Sequence, residues 1–240
     1  MKAIEIVGKS KSGKTTLIEA LIKELTERNL KVGAIKKSFH HNVEYDKEGK
    51  DTYKMEKAGA SITGGFSKNS AFICYRYPLH PREFIKEFSE VNILLIEGEM
   101  GLAVPKVYCL GSDPAPDDPL IFAYFSLEEH KSGRNEKTFS LKDTGELCEL
   151  ILERVPDTLP QLNCGKCGYD CTGLLTRILG DEASIKDCKV LYGTKSRVKI
   201  NGKPVELMPF LDEMFVNIVK GFLSPLKGYS KGKIHIDIEE

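Results

Sequence analysis

Residues 8–15 read GKSKSGKT: one glycine, four residues, then Gly-Lys-Thr, set between the apolar run AIEIV (3–7) and TTLIEALIKELTERNL (15–30). No other stretch restricts the fold as much. The glycines let the backbone curl until successive N–H groups face phosphate oxygens, and the helix that follows adds its positive N-terminal end. A lysine here reaches β- and γ-phosphates, and the next hydroxyl can ligate Mg²⁺. This is P-loop spacing, and it predicts strand, loop and helix in that order. The candidate phosphate-binding residues are Gly8, Ser12, Gly13, Lys14, Thr15 and Thr16, with Lys14 as the catalytic cation and Thr15 as a metal ligand.

A metal held by Thr15 needs a second carboxylate, which open α/β sheets place at a strand end. Glu97, closing NILLIEGE, is one candidate; Asp46 and Asp51, in the polar run YDKEGKD, are others. The segment KKSFHHNVEYDKEGKD (36–51) is longer than most connections, which favours function over linkage. Its Lys36, His40, His41 and Lys50 are candidates to contact a triphosphate or an anionic substrate. The two histidines lack a third ligand at any usual spacing for a transition metal.

Leu17, Leu21, Ile22 and Leu25 share one face of the first helix. KVGAIK (31–36), SAFICYRY (70–77), VNILLIEGE (91–99), KVYCLG (106–111) and PLIFAYFS (119–126) read as strands, and 144–155 as a helix. This alternation predicts an α/β fold, a P-loop NTPase domain with a mostly parallel sheet. At 240 residues, 41% hydrophobic and 29% charged, the chain can bury a core of that size. Lys plus Arg equals Asp plus Glu, 35 each, which disfavours a general nucleic-acid binder. Apolar runs such as VNILLI are too short for a membrane helix, and the N-terminus has no signal-peptide pattern. A cytoplasmic protein is expected, with no nucleic-acid or membrane partner.

GKSKSGKTTLIEALI, IKKSFHHNVEYDKEGKDTYKMEKAGA and LLIEGEMGLAVPKVYCL together resemble the MobB family, P-loop proteins of molybdopterin-guanine dinucleotide biosynthesis, over most of residues 1–126. The resemblance implies a GTP-binding protein with weak GTPase activity. It would act with a MobA-type nucleotidyltransferase that attaches GMP to molybdopterin. It also implies that Gly8, Gly13, Lys14, Thr15 and Thr16 cradle phosphate, that His40, His41, Asp46, Lys50 and Asp51 form the family's polar loop, and that Glu97 and Gly98 form its strand-end motif. Lys37 stands where the family has histidine, and Glu99-Met100 where it has Phe-Lys. The chain has no Asn-Lys-x-Asp guanine motif, so GTP rests on the resemblance alone. A homodimer is left open.

Cysteines divide the chain. Cys74, Cys109 and Cys148 are isolated; Cys164, Cys167, Cys171 and Cys188 fall within 25 residues. The latter spacing, three thiols from one tight loop and a fourth from afar, suits a [4Fe-4S] cluster, with zinc as the alternative. The segment is also similar to four-cysteine [4Fe-4S] domains of corrinoid and electron-transport proteins, with three residues rather than four between its second and third cysteines. VPDTLPQLN (155–163) reads as a linker, giving a nucleotide domain over 1–155 and a small α+β iron–sulfur-type domain over 156–240 that should hold its cluster alone. In the latter, 197–207 is expected to form a hairpin about Asn201-Gly202, 209–223 an amphipathic helix, and 233–239 a strand.

Two other functions fit the same residues: an ATP-dependent iron–sulfur carrier or scaffold, and a small-molecule P-loop kinase using Arg76, Arg82 or Arg134 as lid charges.

Overall fold

The computed structural model describes residues 1–38, 48–111, 114–127, 138–193, 196–205, 207–230 and 232–236. Among these, six strands form one sheet: β1 (Lys2–Val7), β2 (Val32–Lys36), β5 (Ile93–Glu97), β6 (Lys106–Cys109), β7 (Ile121–Phe125) and β8 (Thr138–Phe139). Their spatial order is β2-β5-β1-β6-β7-β8, and every pairing is parallel. A parallel sheet covered on both faces needs apolar side chains pointing both ways. ILLI of β5 is accordingly buried without alternation. The chain leaves β1 toward β2 on one side and later returns to fill the other with β6, so the crevice beyond β1 is the topological switch point.

On one face, α1 (Lys14–Glu27) and α4 (Thr144–Arg154) press Leu17, Leu21, Leu25, Leu147 and Ile151 onto Ile4, Ile6, Leu95 and Phe125. On the other, α3 (Pro81–Lys86) supplies Ile85 to a cluster with Ala3, Leu94, Ile96, Leu102 and Val104. Full burial of each such leucine or isoleucine is worth about 1.5–3 kcal/mol.

Three expectations are corrected. Residues 70–77 do contain a strand, β4 (Ala71–Tyr75), but it pairs antiparallel with β3 (Ile62–Phe66), outside the main sheet. ITGGF has too little apolar content to show β3 in the sequence. The stretch 155–163 is not a loose linker. Val155 is fully buried, Leu159 and Pro160 are buried, and Thr158 N–H donates to the Met1 carbonyl at 3.0 Å. Leu159 joins Leu174, Leu175, Cys188 and Val190 in a core that also contains Ala103 and Leu120 of the sheet region. Finally, of the strand expected over 233–239, residues 233–236 form none, and 237–239 lie outside the described residues. The expected hairpin is present as β9 (Val198–Ile200) and β10 (Lys203–Val205), with φ of 51° at Asn201 and 75° at Gly202 as a type I′ turn requires. α6 (Pro209–Leu223) is helical, yet its stripe Phe210, Met214, Ile218 and Phe222 stays exposed. No described helix is long and apolar enough to cross a membrane.

Candidate functional site: a P-loop and a four-cysteine pocket

The loop between β1 and α1 sits at the switch point. Gly13 caps α1 with φ 91°, and Gly8 has φ 140°. A Cβ on Gly8 would lie 2.5 Å from the Cys109 carbonyl and 2.8 Å from Ser12 Oγ; one on Gly13 would meet Leu127 at 2.6 Å. Both glycines are thus required by backbone angle and by space. Gly8→Ala is expected to cost at least about 1–3 kcal/mol from backbone strain alone, read as a lower unfolding midpoint together with weakened nucleotide binding. A variant with unchanged stability would show that the end of β6 can yield.

Lys14 Nζ donates to the Gly8 carbonyl at 2.9 Å and the Lys9 carbonyl at 2.5 Å, which holds the ammonium within the loop. Ser12 is buried and its Oγ has no hydrogen-bond partner. A buried hydroxyl without a partner is costly unless a ligand satisfies it, and a phosphate oxygen would. Thr15 and Thr16 are exposed at the start of α1. Across the crevice, Glu97 accepts from Thr15 Oγ1 at 2.9 Å through Oε2 and from Lys36 Nζ at 3.1 Å through Oε1. The register explains the meeting: Lys36 and Glu97 are partners across β2 and β5, and Ile6 pairs with Glu97 across β1. A hydroxyl and a carboxylate facing each other across this crevice are oxygen donors of the kind that could hold Mg²⁺.

Other expected residues lie elsewhere. Lys50 precedes α2 (Asp51–Lys57), where its carbonyl accepts from Lys54 N–H at 3.1 Å. Asp51 is exposed and pairs with Lys54 at 3.3 Å, not with the P-loop. His40, His41 and Asp46 lie outside the described residues, as does Arg134. Arg76 pairs with Glu56, and Arg82 lines a cavity with Met1 at the opposite end of the sheet.

Sequence reasoning missed a buried charge network. Glu5, central in β1, is fully buried; its Oε1 accepts from Met100 N–H at 2.7 Å and its Oε2 has no partner. Its β6 partner Lys106 reaches Glu99 at 2.5 Å and Asp118 at 2.8 Å. Burial alone would lower the Lys106 ammonium, but its hydrogen bonds to Asp118 and Glu99 outweigh that and raise it. For Glu5 burial wins over the Met100 bond and the Lys106 charge, pushing the carboxyl up to about 7. The only sequence signal was a charge inside an apolar run. Because this folded value exceeds the ordinary 4.5, the stability contributed by protonated Glu5 is complete below about 4.5 and is lost as pH rises through about 7. Glu5→Gln should therefore leave the melting temperature nearly unchanged at pH 4 and raise it at pH 8. Each kcal/mol recovered corresponds to about 2–4 °C. A lower value at pH 8 would show that the ionised form is needed.

Cys164, Cys167, Cys171 and Cys188 line a single narrow cavity with Tyr169, Asp170 and Leu174. Gly165 (φ 69°) and Gly168 (φ 91°) turn the loop, and Gly168 N–H returns to the Gly165 carbonyl at 3.0 Å. Cys171 begins α5 (Cys171–Leu179), which Asp170 caps by accepting from Gly173 N–H at 2.6 Å. Burial raises the Cys188 thiol, and Cys171 and Cys167 push it the same way. Thiols this near one another suit a shared cation, although among the described residues no three His, Cys, Asp or Glu side chains converge closely enough to hold an ion as they stand. Cys109 and Cys148 are core residues, pushed by burial to about 12 and about 11, while Cys74 lies half-buried on β4.

An all-parallel sheet with a glycine-bounded loop, a lysine and a Thr–Glu pair at its switch point defines a P-loop α/β protein. The family model for "MobB: Molybdopterin guanine dinucleotide synthesis protein B" matches residues 3–119, and that for "Putative Fe-S cluster" matches 159–190. A protein from Escherichia coli named as a molybdopterin-guanine dinucleotide biosynthesis adapter protein is 48% identical over 121 residues, covering 47% of this chain and 68% of its own length. One of the same name from Haemophilus influenzae is 57% identical over 106 residues, covering 42% of this chain and 59% of its own. A Methanocaldococcus jannaschii protein, named "Putative molybdopterin-guanine dinucleotide biosynthesis adapter protein", is 28% identical over 253 residues, covering 100% of this chain and 99% of its own. The crystal structure of Bacillus subtilis MobB shares the fold, with TM-score 0.53 and 24% identity over 65% of this chain and 99% of that one. The chain belongs to the MobB family.

Proposed function

We propose that this protein is a GTP-binding adapter of molybdopterin-guanine dinucleotide biosynthesis whose residues 156–240 add an iron–sulfur-type function to a nucleotide-binding part over 1–155. The observation that carries the reading is the Thr15–Glu97 pair, 2.9 Å apart, beside a lysine held within the glycine-bounded loop. Thr15 and Glu97 would hold Mg²⁺, which supplies neutralisation of β- and γ-phosphate charge. Lys14 would release its two carbonyls to bind phosphate oxygens, Ser12 Oγ would gain its missing partner, and Lys36 would stay on Glu97 and orient the carboxylate. Among the described residues, no arginine or glutamine is placed to stabilise or position attack on a γ-phosphate. Intrinsic hydrolysis should accordingly be slow, well below the ~1 s⁻¹ of activated phosphoryl transfer. An adapter with slow turnover suits a partner of the MobA nucleotidyltransferase type acting on molybdopterin. The four cysteines would hold a [4Fe-4S] cluster, or zinc in its place.

Titration of the full chain with GTP and ATP, each with and without Mg²⁺, tests this. GTP should bind more tightly than ATP and only with Mg²⁺, and Glu97→Gln should remove most of the Mg²⁺ dependence. ATP preference, or equal binding without Mg²⁺, would overturn it.

A further inference from the structure

Residues 98–105 run from the end of β5 to the start of β6 as a strap, and both candidate sites are tied to it. At one end is Glu97, bonded to Thr15, and next to it Gly98 N–H donates to the Ile6 carbonyl at 2.9 Å. In the middle, Met100 N–H is held by Glu5 at 2.7 Å and the Glu99 carboxylate by Lys106 at 2.5 Å. Near the other end, Ala103 is gripped by one side chain. Gln161 Oε1 accepts from Ala103 N–H at 2.8 Å, and Gln161 Nε2 donates to the Ala103 carbonyl at 3.0 Å and the Leu159 carbonyl at 3.1 Å. The amide thus imitates a strand partner for a single residue.

Gln161 and Asn163 both have left-handed backbones, with φ of 58° and 47°. Non-glycine residues keep such angles only where surrounding contacts over-determine them. Here the contacts are the Gln161–Ala103 grip and a bond from Cys171 N–H to Asn163 Oδ1 at 3.0 Å, which anchors the start of α5. Ala103 also packs in the core that contains Cys188. The path from Thr15 to Cys171 therefore consists of one carboxylate, six residues of strap and two side-chain amides.

We infer that Gln161 is a positioning residue through which filling of the four-cysteine site strengthens Mg²⁺–nucleotide binding. This rests on the reading of both sites given above. A ligand that draws the four thiols together fixes 161–171, and Gln161 passes that order to Ala103 and the strap. Glu97 then meets Mg²⁺–nucleotide with less conformational freedom left to lose, which is positive coupling. By reciprocity, nucleotide raises metal retention by the same factor.

The test uses the full chain, iron-loaded without oxygen or stripped by chelator, titrated with Mg²⁺–GTP. The loaded form should bind about 5-fold or more tightly. Gln161→Asn suits the left-handed backbone but falls one methylene short of Ala103. It should keep its iron and bind GTP with equal strength in both forms. Gln161→Glu, which retains the acceptor but not the donor, should fall between. Amide exchange over 98–105 in the wild-type chain, without nucleotide, should slow on iron loading. Affinities within twofold of one another in loaded and stripped wild type would overturn the coupling while leaving both sites standing. Full coupling in Gln161→Asn would overturn the role of Gln161. Absence of GTP binding in both forms would instead sink the nucleotide reading and the coupling with it.

Discussion

Lys14→Ala should weaken binding of Mg²⁺–GTP by on the order of 100-fold while leaving guanosine affinity nearly unchanged. Removing one member of a desolvated charge pair costs about 2–5 kcal/mol, and 1.4 kcal/mol is tenfold in affinity. The selectivity of the loss follows from geometry. Lys14 Nζ rests on the Gly8 and Lys9 carbonyls within the loop, so its charge faces phosphate and has no reason to meet a base or a ribose. Isothermal titration with both ligands measures the contrast, and equal losses would remove the phosphate role from this loop. Stability should change less, because Lys14 loses only two bonds to loop carbonyls, one of them exposed.

The second large effect concerns the cysteines. The full chain prepared without oxygen should carry about four irons, and Cys164→Ser, Cys167→Ser, Cys171→Ser or Cys188→Ser should each lower that content sharply. Cys109→Ser should leave it unchanged, since Cys109 lies beneath Gly8. Bound zinc in place of iron would keep the site and change its chemistry. Residues 156–240 expressed alone should fail to retain metal. Cutting there exposes Leu159 and removes Ala103 and Leu120 from the core that contains Cys188. This outcome reverses the expectation of a self-sufficient cluster domain. A brown, stable fragment would show that the shared core is dispensable.

The sequence alone determined the glycine–lysine loop between β1 and α1, most of the main sheet's strands and the four-cysteine set. Each is dictated by neighbours within a short stretch: φ-permissive glycines beside a lysine, buried apolar runs, thiols three and four positions apart. Glu97 was legible for the same reason, as a carboxylate ending an apolar strand. The local pattern could not give the partners. Lys36 meets Glu97 because parallel register sets β2 beside β5, and Thr15 meets it because β5 lies beside β1. ITGGF became a strand only by pairing with β4. Glu5 and Lys106, 101 positions apart, share a buried network through β-pairing that no periodicity encodes. Two prolines and no period made 155–163 look like a linker, whereas Leu159 and Gln161 fasten it to the sheet region. Such contacts join residues far apart in the chain, and only closure of the sheet and burial of a common core decide which of them face each other.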